Sequence, residues 1–374
     1  MNRSFRILLV TPMNPSSVGG ISTVTRNLEK GLEREGHEVQ TLFIPFEASE
    51  RNWKPLDYLP RPRWCYSFKS IKTRRFAYLQ NVYRQAQSAI TKFEPDIVHS
   101  IHIWNWPAIV VANRSGIPTV LSTHALELEE KTLAARAIND ADVIHSVSNF
   151  TRDLVANVAN NEIDHSYVVP PSIEVSKYQS VNQQIRDDPE IVLTLSRFVD
   201  RKNVGTIIKS WRHVHTGSAD QKLIIAGDGP NQGYLTALTK GVDGVSLVGE
   251  VSETYKRKLF SKADVFALVP RQERFNVEGF GIVYIEAQAA NTPVVGSSYG
   301  GVPEAVGDGG IIVDKENSSI EVANAITRLL NDQEARQYCS TAIEDRIGKF
   351  SLRPVARKHV NVYQDLLERH AIRA

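Results

Sequence analysis

The sequence predicts an α/β protein made of two doubly wound domains. Its 374 residues suffice for two domains of roughly 150 to 200 residues each. Short apolar runs of strand length alternate with helical patterns along the chain, the arrangement expected of parallel sheets wound with helices. That alternation starts twice, at Phe5 and again at Ile191, with a proline-marked polar stretch before the second start.

Residues 5–11 form the first apolar run, followed by a Ser/Gly loop through Gly19 and Gly20 and a helical pattern over 21–35 that Gly36 stops. Residues 38–44 read as a second strand. The chain therefore opens as a βαβ unit, with its glycine loop at the carboxyl end of the first strand, where open α/β sheets bind ligands. Further strands are expected at 96–101, 119–123, 143–147 and 167–169. Pro170, Pro171 and the polar stretch up to Glu190 read as the connection between the halves. The second series runs strand 191–196, helix 204–214, strand 222–226 ending in Gly227-Asp228-Gly229-Pro230, strand 245–248 and helix 252–261, after which residues 263–269 feed the stretch from 274 to 301. From Ile320 onward the pattern is helical, closing with a helix over 354–369. The expected domains are residues 1–170 and 171–353, with 354–374 packing back on the first.

Composition excludes several classes. A net charge of +2 gives no case for a nucleic-acid partner. Cys65 and Cys339 match no metal spacing, and two lone cysteines suit a reducing compartment. The first residues, MNRSFRILLVTP, hold too short an apolar run for a signal peptide, and no stretch approaches the ~20 apolar residues of a membrane span. A cytoplasmic protein is expected. One stretch stands apart: Arg51, Lys54, Arg61, Arg63, Lys69, Lys72, Arg74 and Arg75 are interleaved with Trp53, Tyr58, Trp64, Tyr66 and Phe68. Such a segment suits either an anionic membrane face, making the protein peripheral at the inner membrane, or a solvated connection.

The chemistry concentrates between residues 274 and 301, RFNVEGFGIVYIEAQAANTPVVGSSYGG, which reads as loop, helix, strand and loop. Glu278 stands in the turn, Gly279 and Gly281 allow close backbone approach, and a helix over 282–290 carries Glu286 about one turn inside. Amides at a helix start lack internal partners and attract anions, while a carboxylate accepts two hydrogen bonds from a vicinal diol. Phosphate on the amides with diols on the acids describes a nucleotide sugar. Asn291 ends the helix as a residue tolerant of left-handed backbone. In LSRFVDRK, Arg197 ends a strand and Lys202 follows five residues later, so both cations can reach one diphosphate.

Arg197 with Lys202, Glu278 and Glu286 seven residues apart in EGFGIVYIEAQA, and the following PVVGSSYGGVPEAV resemble the family 4 retaining glycosyltransferases of the GT-B fold. The variant with Val-Glu-Gly before Phe-Gly is similar to bacterial phosphatidylinositol mannoside mannosyltransferases and their relatives in polysaccharide assembly. The resemblance implies two Rossmann-like domains facing across a cleft, the first on the acceptor side and the second binding the nucleotide sugar. It implies Arg197 and Lys202 on the donor diphosphate, and Glu278 at the donor hexose with the amides of Phe280, Gly281 and Ile282. Glu286 would hold the ribose diol, Gly19 and Gly20 would close over the phosphates, and His124, in LSTHALE, would stand at the sugar. Two positions depart from the family pattern: Asn291 replaces a common glycine, and Pro171-Ser172 stands where many members carry Asn-Gly.

The expected reaction takes a hexose from a UDP- or GDP-sugar to a hydroxyl of a glycan, a lipid-linked or a small-molecule acceptor, with no metal and no cofactor. Ser148 reads as a helix cap. His99 with His102 and His213 with His215 have near-metal spacing but no supporting acid or cysteine cluster, so no metal site is expected. The alternatives are a GT-A transferase using Asp140-Ala141-Asp142 as a metal-binding DxD pattern, a GT-B epimerase or phosphorylase, and a non-catalytic subunit that binds sugar nucleotides.

Overall fold

Both expected sheets form, each with six parallel strands. The computed structural model describes residues 4–17, 19–46, 68–159, 165–179, 190–214, 221–272 and 276–373. The chain divides into two compact units, one of Met1–Val147, Arg152–Val169 and Val355–Ala374, the other of Ser148–Thr151 and Pro170–Pro354.

In the first unit, strands β1 (Arg6–Thr11), β2 (Glu38–Phe43), β3 (Ile97–Ser100), β4 (Thr119–Thr123), β5 (Val143–Ser146) and β6 (Ser166–Val168) lie in the order β2-β1-β3-β4-β5-β6. Successive side chains of a strand point to opposite faces. Ile7 and Leu9 accordingly pack with Leu28 and Leu32 of the helix Gly20–Arg34, while Leu8 and Val10 pack with Val82, Ala86 and Ile90 of the helix Phe68–Phe93. Burial on both faces is why β1 reads as an unbroken apolar run from Ile7 to Val10.

In the second unit, β7 (Ile191–Leu195), β8 (Lys222–Ala226), β9 (Val245–Gly249), β10 (Val265–Ala267), β11 (Val294–Ser297) and β12 (Gly310–Val313) lie in the order β12-β11-β10-β7-β8-β9. The strand order reverses between β7 and β10. At such a reversal the loops leaving the two strands diverge to opposite faces and open a crevice at their carboxyl ends, the ordinary ligand position of this architecture. The loop after β7 carries Arg197 and Lys202, and the segment after β10 leads to Glu278.

Three differences from the sequence reading have local causes. Strand β12 is absent from that reading because its four residues open on glycine and its first three are only partly buried, so the apolar signal is short. The stretch after Pro171 is not a solvated connection throughout: Ile173 bridges to Ser351, and a short helix, Ser176–Gln179, buries Tyr178. The last helix spans Leu352–Arg373, starting ahead of Pro354, because the first turn needs no amide from proline.

That last helix packs Ala356, Val360, Tyr363 and Leu366 into the core of the first unit. It also completes a polar rung across the sheet. His99 on β3 lies 2.7 Å from both Tyr363 Oη and Ser122 Oγ, Ser122 lies 2.7 Å from His145 Nδ1, and His145 Nε2 donates to the Val169 carbonyl at 2.8 Å. The carbonyl can only accept, which assigns every proton along the row: Ser122 donates to His145, His99 donates to Ser122, and Tyr363 donates to His99. All these groups are satisfied with both imidazoles neutral. His359 stands beside them, with Nδ1 3.0 Å from Tyr167 Oη.

Candidate active site

Lys202 and Glu278 meet although the sequence separates them widely: Lys202 Nζ donates to Glu278 Oε2 at 2.7 Å. Arg201, which the sequence reading passed over, also donates to Glu278 Oε2. Burial by itself would raise the Glu278 carboxyl, but Lys202 and Arg201 outweigh it and draw the group down to about 2. The Lys202 ammonium is itself lowered, by burial and by repulsion from Arg201 and Arg197, against the attraction of Glu278. Arg197 is exposed and pairs with no acid among the described residues. Two cations share a single carboxylate and a third, Arg197, acts on Lys202, which leaves positive charge in excess.

Local backbone fixes this arrangement. Asn203 adopts left-handed backbone at φ 54°, and its side chain donates to the carbonyls of Val269 at 3.1 Å and Glu316 at 2.9 Å. The turn presenting Lys202 is thereby tied to the ends of neighbouring segments, and asparagine suits it because it tolerates this conformation. Gly281 stands at φ 95°, where an added Cβ would come within 2.7 Å of the Tyr284 ring. It caps the helix Ile282–Ala289. Among the described residues, the amides of Phe280, Gly281 and Ile282 donate no hydrogen bond, so the helix start is open to an acceptor. The Gly301 amide holds the Glu278 carbonyl at 2.9 Å.

Glu286 is 6% exposed, and its Oε1 accepts from Lys256 Nζ and Tyr178 Oη, each at 2.7 Å. Neither partner was visible as such in the sequence, and no spacing rule could have joined them. Asn291 ends the helix region at φ 58°, in the left-handed region expected of it.

Gly19, Gly20 and His124 belong to the first unit. Gly19, at φ 154°, precedes the helix Gly20–Arg34. His124 follows β4; its Nε2 donates to the Ile101 carbonyl at 2.9 Å, and its backbone amide donates to Glu127 Oε1. The next residue, Ala125, holds φ 96°, a conformation rarely adopted outside glycine and often associated with functional sites. His102 is lowered to about 4 by burial, opposed in part by Glu127 and reinforced by His124. Ser148 Oγ accepts from the Thr151 amide at 3.0 Å, a helix cap.

The acids of the DxD pattern are engaged elsewhere. Asp140 accepts from the Trp106 indole at 2.6 Å, and Asp142 Oδ2 accepts from the Thr119 amide and hydroxyl, each at 2.8 Å. Together with the two parallel sheets, this removes the GT-A alternative. Among the described residues, no group of three or more His, Cys, Asp or Glu could hold a metal ion. No helix of the described residues is long and apolar enough to cross a membrane.

Two doubly wound domains, with excess positive charge and open amides at the strand-order reversal of the second, define a GT-B glycosyltransferase. Residues 18–177 match the family profile described as Glycosyltransferase Family 4, and residues 176–346 match the one described as Glycosyl transferases group 1. The chain belongs to the family 4 glycosyltransferases and is an enzyme acting on sugar-nucleotide donors. It is 27% identical to an uncharacterized glycosyltransferase of Methanocaldococcus jannaschii, over 95% of this chain and 96% of that one. It is 28% identical to the GDP-mannose-dependent alpha-(1-6)-phosphatidylinositol monomannoside mannosyltransferase of Mycobacterium tuberculosis, over 88% of this chain and 90% of that one. Among solved structures, sucrose-phosphate synthase from Thermosynechococcus elongatus shares the fold with a TM-score of 0.73, 19% identity and coverage of 98% and 100% of the two chains.

Proposed function

We propose that this enzyme moves a hexose from a GDP- or UDP-sugar to an acceptor hydroxyl with retention of anomeric configuration and without a metal ion. The observation that carries the reading is a single carboxylate, Glu278, shared by Arg201 and Lys202, with Arg197 near enough to repel Lys202, so that positive charge is in excess. Cleavage of the glycosidic bond puts negative charge on the departing diphosphate. Arg197, Lys202 and the amides of Phe280, Gly281 and Ile282 stabilise it, the task a divalent cation performs in other transferases. Glu278, kept ionised, accepts hydroxyls of the donor hexose, and Glu286 accepts the ribose diol. In the first unit, His124 Nδ1, which has no bond among the described residues, accepts a sugar hydroxyl, and Gly19 and Gly20 let backbone approach the phosphates. The leaving phosphate takes the acceptor proton on the face from which it departs, so no side-chain nucleophile is needed.

The name of the mycobacterial relative makes GDP-mannose the first donor to try and a glycolipid the first acceptor class. Incubating the purified protein with GDP- and UDP-hexoses and a lipid extract in excess EDTA should yield an α-linked product, read by mass spectrometry and by the anomeric proton coupling in NMR. An inverted linkage refutes retention, and activity restored only by added metal refutes the cation assignment. Epimerised donor, phosphate-dependent breakdown or donor binding without turnover points instead to an epimerase, a phosphorylase or a non-catalytic subunit.

A lipid acceptor places the reaction at the inner membrane face, in the cytoplasm. The basic, aromatic stretch from Arg51 to Arg75 suits that position, each cation near an anionic surface adding ~1 kcal/mol. Residues 51–67 of it lie outside the described residues, and the remainder opens the helix Phe68–Phe93. Co-sedimentation with liposomes should rise with anionic lipid content. Binding indifferent to that content removes the membrane assignment and leaves the transfer reaction untouched.

A further inference from the structure

Glu286 is held in an unusual way for a buried carboxylate. Both of its hydrogen-bond donors, Lys256 Nζ and Tyr178 Oη, converge on Oε1, and Oε2 accepts no hydrogen bond among the described residues. Each donor is itself immobilised. Lys256 also contacts Glu253 Oε1 at 3.1 Å and Oε2 at 3.0 Å, one turn back on the helix Glu253–Lys262, and the Tyr178 ring packs at 6.2 Å from that of Phe260.

We infer that Tyr178 and Lys256 are positioning residues: they pin one oxygen of Glu286 and so aim the other at the donor ribose diol. The inference rests on the reading of Glu286 as the ribose-binding acid. A glutamate side chain free to rotate would lose that freedom on binding, whereas one already held by two donors binds without the loss. The charge of Lys256 serves the same end. Burial would depress its ammonium, but the carboxylates of Glu286 and Glu253 outweigh burial and raise it, so Lys256 holds Oε1 as a full cation. Tyr178 belongs to the short helix Ser176–Gln179 that follows Pro170 and Pro171, which makes that segment part of the donor site.

The test is calorimetric binding of GDP and UDP against their 2′-deoxy forms to the wild-type protein, Glu286→Gln, Lys256→Met and Tyr178→Phe. One charge-assisted hydrogen bond predicts that wild type prefers the ribonucleotide by about tenfold or more. Lys256→Met should bring the two forms within about twofold of each other, and Tyr178→Phe should shrink the preference about threefold. A merely structural role weakens both forms equally and leaves their ratio unchanged, which overturns the inference. Should Lys256→Met fail to fold, the milder Tyr178→Phe decides by the same ratio. No ribose preference in wild type, or its survival in Glu286→Gln, defeats the ribose role of Glu286 itself. Loss of preference in Glu286→Gln together with full preference in both partner variants defeats only the positioning role.

Discussion

Arg197→Ala lowers kcat by about 10²- to 10³-fold and leaves the melting temperature where it was; that is the expected result of the sharpest single change in this site. The side chain is exposed at the end of β7 and bonds to no acid among the described residues, so its removal costs the fold nothing. What it removes is one cation from a group in which Glu278 already draws on Lys202 and Arg201. Arg197 is thus the charge least committed to the protein and most available to a departing diphosphate. Because the diphosphate gains charge only as the glycosidic bond breaks, the loss falls mainly on turnover, with a smaller rise in KM. Steady-state kinetics with a fluorescence melt measures both. Near-normal kcat would falsify the diphosphate assignment, and a large drop in melting temperature would show that Arg197 is structural.

Acid should unfold the first unit well before carboxylate titration explains it. His99, His145 and His359 are held well below the ordinary imidazole value, His145 at about 3, chiefly by burial. Mutual repulsion adds to the effect, joined by His124 for His99 and His145 and by Lys358 for His359, while the Val169 carbonyl opposes it at His145. An imidazole whose value is depressed in the folded state contributes stability that is complete above its unfolded value of ~6.5. As pH falls below that point the unfolded chain takes up protons that the folded chain refuses. Each such histidine then forfeits about 1.4 kcal/mol per pH unit, until its folded value is reached. The proton order along the row gives the reason: with the Val169 carbonyl only accepting, an extra proton on His145 Nδ1 would face the Ser122 hydroxyl hydrogen and force the row to reverse. Melting followed by circular dichroism should fall steeply from pH 6.5 to 4.5. His359→Gln, which retains an acceptor for Tyr167, should flatten the slope by about a quarter, since His102 is a fourth depressed histidine of this unit. A melting temperature constant between pH 7.5 and 5 would show that these histidines are not neutral in the folded protein.

Legibility varied from element to element for physical reasons. A strand such as β1 was readable because burial on both faces leaves an apolar run from Ile7 to Val10, whereas β12, short and half-buried, left no such run. Asn291 announced the end of its helix, since few residues accept φ 58°. Glu278 and Glu286 stood out because both acids sit on one turn-and-helix segment whose glycines have no other evident use. Arg201 did not: a basic residue beside Lys202 reads like any surface charge until its partner is known. The connection after Pro171 misled, because a stretch of polar composition hid the one buried tyrosine that reaches Glu286.

What the sequence by itself determined is therefore whatever periodicity and local backbone chemistry encode: two wound sheets, the glycine turn with its acids, and the basic loop after β7. The tertiary structure alone decided which charges meet. Lys256 lies 30 residues from Glu286 and Tyr178 lies 108 away. The row from His99 to Tyr363 joins residues 264 apart. Such pairings follow from strand order and helix packing, and a hydrogen bond requires its partners within about 3 Å, a condition that separation along the chain neither imposes nor reveals.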